Sequence, residues 1–128
     1  EFDTKSPVST QNIQAYKQLK LILKTNKYDL IHCHTPIVGI LTRMAARKYR
    51  KTGTIVIYTT HGFTFTDKSS KKNWIVYFTA EKLKSRFCDA IITINHEDYN
   101  NAKKMHCPKT YIIPSVGLDN HRFASLRI

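Results

Sequence analysis

Acidic residues are scarce in this chain. Nine aspartates and glutamates stand against 21 lysines and arginines, a formal net charge of +12 over 128 residues. Most of the acids lie in helix starts or turns, so no carboxylate pair is set up for hydrolytic acid–base work. Glycine and proline number four each, too few for a flexible or polyproline linker, and no low-complexity tract or internal repeat is present. The three cysteines, Cys33, Cys88 and Cys107, make no disulfide framework. Cys33 and Cys88 fall in or beside strand-like segments, and the expectation is reduced, mostly buried thiols of a cytoplasmic protein. No apolar run approaches the ~20 residues that span a bilayer, and no signal-peptide pattern opens the chain. G-x-G-x-x-G and Walker loops are absent, as is any motif-supported Ser-His-Asp or Cys-His arrangement.

What is present reads as one globular domain or part of one, with 41% hydrophobic and 23% charged residues and length enough for a core. A surplus of positive charge this large draws anionic partners: nucleic acid, anionic lipid or phosphorylated substrates. The cations are spread over several segments, as in Lys17, Lys20 and Lys24, then Arg43, Arg47, Lys48, Arg50 and Lys51, then Lys68, Lys71 and Lys72. Part of that spread is simply solvated helix surface. Nucleic-acid binding rests on charge alone, with no helix-turn-helix, no aromatic RNP-like strand and no basic stripe on a single helix. The expected partners therefore exclude nucleic acid.

Hydrophobic periodicity divides the chain into alternating elements. Residues 11–25 read as a helix with Ile13, Tyr16, Leu19, Ile22 and Leu23 at helical spacing and Ser9 or Thr10 at its start. Residues 28–33 form a short buried strand. Thr35 as N-cap and Pro36 at the first helical position open a second helix running to about Lys51, with Ile37, Ile40, Leu41, Met44 and Ala45 inward and Gly53 as its stop. Strands follow at 54–60, 89–94 and 109–113, a helix at 70–87, and a short helix capped by Asn95. Pro114 breaks the last strand and Gly117 permits a tight turn. The α-β-α-β-α-β-α-β order predicts a Rossmann-like α/β domain, a parallel sheet with helices on both faces. Such a domain normally opens with a strand and a Gly-rich turn. Their absence makes the expectation a partial domain with a bare strand edge through which copies self-associate.

In open α/β sheets ligands bind at the carboxyl ends of the strands, and two strands here deliver histidines to that edge. His34 ends the first; it is either structural or ligand-facing. His61 follows the second, beside Gly62, where the backbone can turn sharply and approach a ligand. It is the preferred catalytic candidate over its alternative as a turn residue. Phe63, Thr64, Phe65 and Thr66 are expected to wall a pocket. His34, Gly62, Phe63, Thr64 and Asn95, all at or past strand ends, form the candidate substrate-binding set. His32 and His34 alternate with Cys33, a pattern that invites zinc. Cys33 faces the other way, however, and no C-x-x-C or helical H-x-x-x-H supplies further ligands. The expectation is no metal, with His32 a satisfied core histidine. In the helix at 70–87, Trp74-Ile75-Val76-Tyr77-Phe78 is apolar on nearly every side, which favours burial, whereas Lys68, Lys71, Lys72 and Trp74 together also suit a membrane-facing surface.

The runs Tyr28-Asp29-Leu30-Ile31-His32-Cys33-His34-Thr35-Pro36 and Val56-Ile57-Tyr58-Thr59-Thr60-His61-Gly62-Phe63 resemble bacterial family 4 glycosyltransferases. Asp89-Ala90-Ile91-Ile92-Thr93-Ile94-Asn95 and Tyr111-Ile112-Ile113-Pro114-Ser115-Val116-Gly117-Leu118-Asp119 fit the same family in the same order. The resemblance is strongest to the branch that builds capsular polysaccharide and exopolysaccharide. It implies a GT-B enzyme, with this chain the later part of its amino-terminal, acceptor-side domain. The first strand and the donor domain are then missing, and the fragment alone is expected to be inactive. It further implies retaining, metal-independent transfer without a cofactor. A nucleotide sugar would be co-substrate, held mainly by the missing domain, and a polyprenyl-diphosphate-linked glycan would be acceptor. His61 would lie near the transferred sugar. The implied location is cytoplasmic and peripheral, on anionic membrane. Ser115-Val116-Gly117 departs from the Asn-Gly that many relatives carry beside the proline. The competing reading is a non-catalytic acceptor- or membrane-binding subunit of a split transferase.

Overall fold

The computed structural model describes residues 9–65 and 70–114. Thr66, Lys68 and the turn assigned to Gly117 lie outside them, as does the 115–119 part of the last motif. The elements are α1 (Thr10–Thr25), β1 (Leu30–His34), α2 (Pro36–Ala46), a 3-10 turn (Tyr49–Thr52), β2 (Ile55–Thr59), α3 (Lys71–Ser85), β3 (Ala90–Thr93), α4 (His96–Ala102) and β4 (Thr110–Ile112). All four strands are parallel and lie side by side in chain order, β1-β2-β3-β4. The Rossmann-like parallel sheet with flanking helices is as the alternation predicted.

Three helix starts show how local sequence sets the frame. Ser9 caps α1, its hydroxyl accepting from the Asn12 amide at 3.2 Å. Ser70 caps α3 and Asn95 caps α4 in the same way. Thr35 corrects the expectation. Pro36 does occupy the first turn of α2, but the Thr35 hydroxyl makes no cap. A residue before proline is driven to an extended ψ, and the sharp exit from β1 adds a φ of 62° with ψ 150°. Its carbonyl instead accepts the first helical bond, from the Gly39 amide at 2.8 Å. A positive φ on threonine is strained and persists only where the surroundings over-determine it. The second helix also differs from its expected extent. It ends at Ala46 and tightens into the 3-10 turn, closed by Gly53 at φ 102°.

Sequential order with crossovers of one hand stacks the connecting helices along one sheet face, and α2 accordingly packs against both α1 and α3. This corrects the expected distribution over both faces. Ile31, Cys33, Val56, Tyr58 and Ile91 point to the helices; Val56, Tyr58 and Ile91 are fully buried, joined by Phe63 and Phe65 from the segment after β2. The alternating residues Leu30, Ile55 and Tyr111 are each about half exposed. In α1 the inward stripe is Asn12, Ala15, Tyr16, Leu19 and Leu23, while Ile13 and Ile22 face out. In α3 a single stripe, Trp74, Phe78, Glu81 and Ser85, turns inward; Ile75, Val76, Tyr77 and Leu83 are exposed. The apolar block is thus not buried all round, because a helix lying on a sheet offers it one face. Cys33 and Cys88 are buried and all three cysteines are free thiols.

Beneath α2 and α3 lies a charged pair that hydrophobic patterning does not mark as core. Arg43 and Glu81 are 0% and 1% exposed and meet at 2.6 Å. The guanidinium also lies 4.2 Å from the centre of the Tyr58 ring, and its Nε donates to the Gly39 carbonyl at 2.9 Å. Gly39 lets α2 come this close. A Cβ there would stand 2.5 Å from the Tyr58 ring.

Candidate functional site

The carboxyl ends of β1 and β2 lie next to each other, since His34 is in register with Thr59. The parallel pairing therefore sets His34 beside the segment that begins at Thr60. β2 is prolonged by the Thr60 amide, which donates to the Ile92 carbonyl at 3.0 Å. The chain then turns at Gly62, whose φ of 130° is one that side-chain-bearing residues rarely adopt. His61, immediately before it, is swung back over β1. His34 Nδ1 and His61 Nε2 stand 3.1 Å apart, within hydrogen-bond distance, and their ring centres are 5.3 Å apart. His32 adds a third ring, 4.3 Å from His34, and its Nε2 hydrogen-bonds the Thr59 hydroxyl at 2.8 Å.

All three imidazoles are exposed at this edge. For His32 this overturns the expected core position: the ring sits on the sheet face turned away from the helices, satisfied by Thr59. A 3.1 Å contact between two imidazole nitrogens needs one N–H and one lone pair. If both rings were protonated, two N–H groups would face each other. Desolvation, then the neighbouring His32 and His61 rings, hold the pKa of His34 below its ordinary value, which favours the neutral partner such a bond requires. Among the described residues, no group of three or more His, Cys, Asp or Glu side chains is arranged to hold a metal ion.

Two of the expected substrate-binding residues serve the frame instead. Phe63 is 3% exposed and stacks on Phe65 at 4.7 Å, so its side chain fills the core and walls no open pocket. Phe65 is likewise buried. Asn95 is committed to its helix: Oδ1 accepts the Asp98 amide at 2.8 Å and Nδ2 donates to Asp98 Oδ2 at 2.8 Å. Gly62 is half-buried and Thr64 exposed, both at the histidine edge. Trp74 faces inward, stacked on Phe78 at 4.6 Å and edge-on to Phe65 at 5.7 Å. That removes it from the membrane-facing set, in which Lys71 and Lys72 stay exposed.

Sequence reading passed over Asp98. It is 3% exposed, and its Oδ1 accepts from the Phe63 amide at 3.4 Å. Asn95 orients Asp98, Asp98 tethers the backbone just past Gly62, and the tether fixes where His61 can lie. The Asn-x-x-Asp spacing of a capping box was the available signal; its reach to a segment 35 residues away was not.

Comparison with known proteins bears on the chain as a whole. The model of Glycosyltransferase Family 4 matches residues 3–116. A Bacillus subtilis (strain 168) protein, EpsD, named as a glycosyltransferase, is 46% identical over 121 residues, covering 93% of this chain and 32% of that protein. The Escherichia coli UDP-Gal:alpha-D-GlcNAc-diphosphoundecaprenol alpha-1,3-galactosyltransferase is 32% identical over 127 residues, covering 92% and 32% respectively. An uncharacterised 41.2 kDa protein of the Klebsiella pneumoniae cps region is 33% identical over 98 residues, covering 72% and 27%. The chain thus spans about a third of the length of these curated relatives. With nearly its whole length matched to the family model, this chain belongs to glycosyltransferase family 4.

Proposed function

We propose that this chain is the acceptor-side part of a retaining glycosyltransferase. The enzyme would move a sugar from a nucleotide sugar to a polyprenyl-diphosphate-linked glycan in capsule or exopolysaccharide synthesis. The observation that carries the reading is the His34–His61 pair at the carboxyl edge of the sheet, in a chain of this family. The Escherichia coli relative's name supplies the acceptor class. In this reading His61 is the catalytic residue. Its Nε2 is oriented by His34, which leaves Nδ1 to hydrogen-bond the reacting sugar, and the Gly62 turn brings the backbone close to it. Thr64 and the exposed face of His34 contact substrate, and Asp98 holds the segment in place. The nucleotide sugar is a co-substrate held mostly by a second domain.

Membrane association belongs to the same reading. No helix among the described residues is long and apolar enough to cross a membrane. The outer face of α3 joins Lys71 and Lys72 to exposed Ile75 and Val76, a mix that suits the surface of an anionic leaflet. A peripheral position on the inner face of the membrane would bring the enzyme to its lipid-linked acceptor.

The test uses the full-length enzyme. His61→Ala is expected to lower kcat and kcat/KM together by about 2–4 kcal/mol, as for one positioned donor in a cleft. Its thermal unfolding should stay near the parent's, because the ring is exposed. Intact turnover with a large drop in melting temperature would make His61 a structural turn residue.

A further inference from the structure

At the opposite end of the strands the fold gathers cations around a hollow of about 740 Å³, lined by Arg47, Lys48, Arg50, Lys51, Arg86 and Phe87. Arg47 to Lys51 run from the end of α2 through the 3-10 turn that precedes β2, and Arg86 and Phe87 link α3 to β3. The hollow therefore lies at the amino-terminal edge, away from the histidines. We propose that it is a binding site for a ligand carrying two or more phosphate groups.

One cation is already used as a strut. Arg50 Nε reaches Asp89 Oδ1 and Oδ2 at 3.0 and 3.1 Å, Nη2 reaches Oδ1 at 2.5 Å, and Nη1 donates to the Arg86 carbonyl at 2.6 Å. The Val56 amide donates to Asp89 Oδ2 at 2.8 Å, so the strut also ties the 3-10 turn to β2 and β3. Four cations remain, Arg47, Lys48, Lys51 and Arg86, and among the described residues none forms an ion pair with a carboxylate. Converging helix C-termini account for part of the positive charge, since cations suit the negative end of a helix dipole. They do not account for four unpaired cations around a concavity, where like charges repel. A clustered anion relieves that repulsion, and two of the four are arginines able to hold phosphate oxygens bidentately. Phe87, half-buried in the lining with Arg47 6.0 Å over its ring, adds an apolar contact beside the phosphates.

Such phosphates reach the site either on a soluble di- or triphosphate or on the headgroups of an anionic lipid surface. Two arms separate these sources. Inorganic triphosphate is titrated calorimetrically into the full-length polypeptide at about 0.15 M ionic strength, where the Debye length is ~8 Å. Separately, the polypeptide is co-sedimented with vesicles of phosphatidylglycerol and phosphatidylethanolamine. The variant is Lys48→Glu/Lys51→Glu, both exposed and remote from His61. The control is Lys17→Glu/Lys20→Glu on α1, which makes the same change in net charge elsewhere. Circular dichroism checks that both remain folded. The expected result is binding in at least one arm that weakens about tenfold or more, ~1.4 kcal/mol, in the first variant and not in the control. A triphosphate effect assigns the soluble ligand, and a vesicle effect the lipid headgroup. No binding in either arm, or equal losses in variant and control, overturns the proposal.

Discussion

His34 sits where three imidazoles meet, and its protonation is tied to both folding and the site. Desolvation, followed by the His32 and His61 rings, keeps its pKa below the ordinary histidine value, whereas in the unfolded chain it titrates near 6.5. Between the lowered folded value and ~6.5 the unfolded chain binds more protons. The associated stability is therefore present above that range and lost as pH falls through it. The urea midpoint should drop as pH is lowered past ~6.5, and part of that drop should disappear in His34→Gln. An identical pH profile in the variant would rule this coupling out. The sequence showed that His34 and His61 lie at the ends of consecutive strands and that Gly62 permits the turn. It did not show that the two rings touch, because that depends on the register of β1 against β2 and on Asp98 anchoring Phe63 from α4.

At the scale of elements, α2 and α3 are held to the sheet by a contact that periodicity does not reveal. Arg43 was counted among the cations spread along the helices, yet it is buried and paired with buried Glu81 across 38 positions. Burial pushes the Glu81 carboxyl upward, with Arg43 pulling against it. Removing one partner leaves the other charge buried and uncompensated. Arg43→Met or Glu81→Leu alone should each cost about 3–5 kcal/mol of stability. The double substitution should cost clearly less than their sum, read from denaturant unfolding as a double-mutant cycle. Additive losses would mean that the pair is not coupled. The caps of α1 and α4 were legible because they are local. The inward stripe of α3 was not, since Trp74 through Phe78 is apolar in every direction and packing against Phe65 selects Trp74 and Phe78.

For the molecule as a whole, the bare side of the sheet is the consequential surface. Among the described residues β1 pairs on one side only, with β2, and Leu30 on this edge strand is half exposed. An unpaired edge is a template for another strand. The isolated chain is therefore expected to self-associate in sedimentation velocity as concentration rises, and Leu30→Lys should weaken that association. A single monomeric boundary at every concentration would refute edge pairing. The sequence by itself determined the order of elements, the caps of α1 and α4, the parallel α/β class and the family, because each rests on periodicity, local turn chemistry or a short motif. Tertiary structure alone decided which face the helices cover, that Arg43 is buried with Glu81, that Phe63 fills the core, that His34 meets His61, and that five cations ring one hollow. Those contacts join residues far apart in the chain, and only strand register and helix packing bring them together.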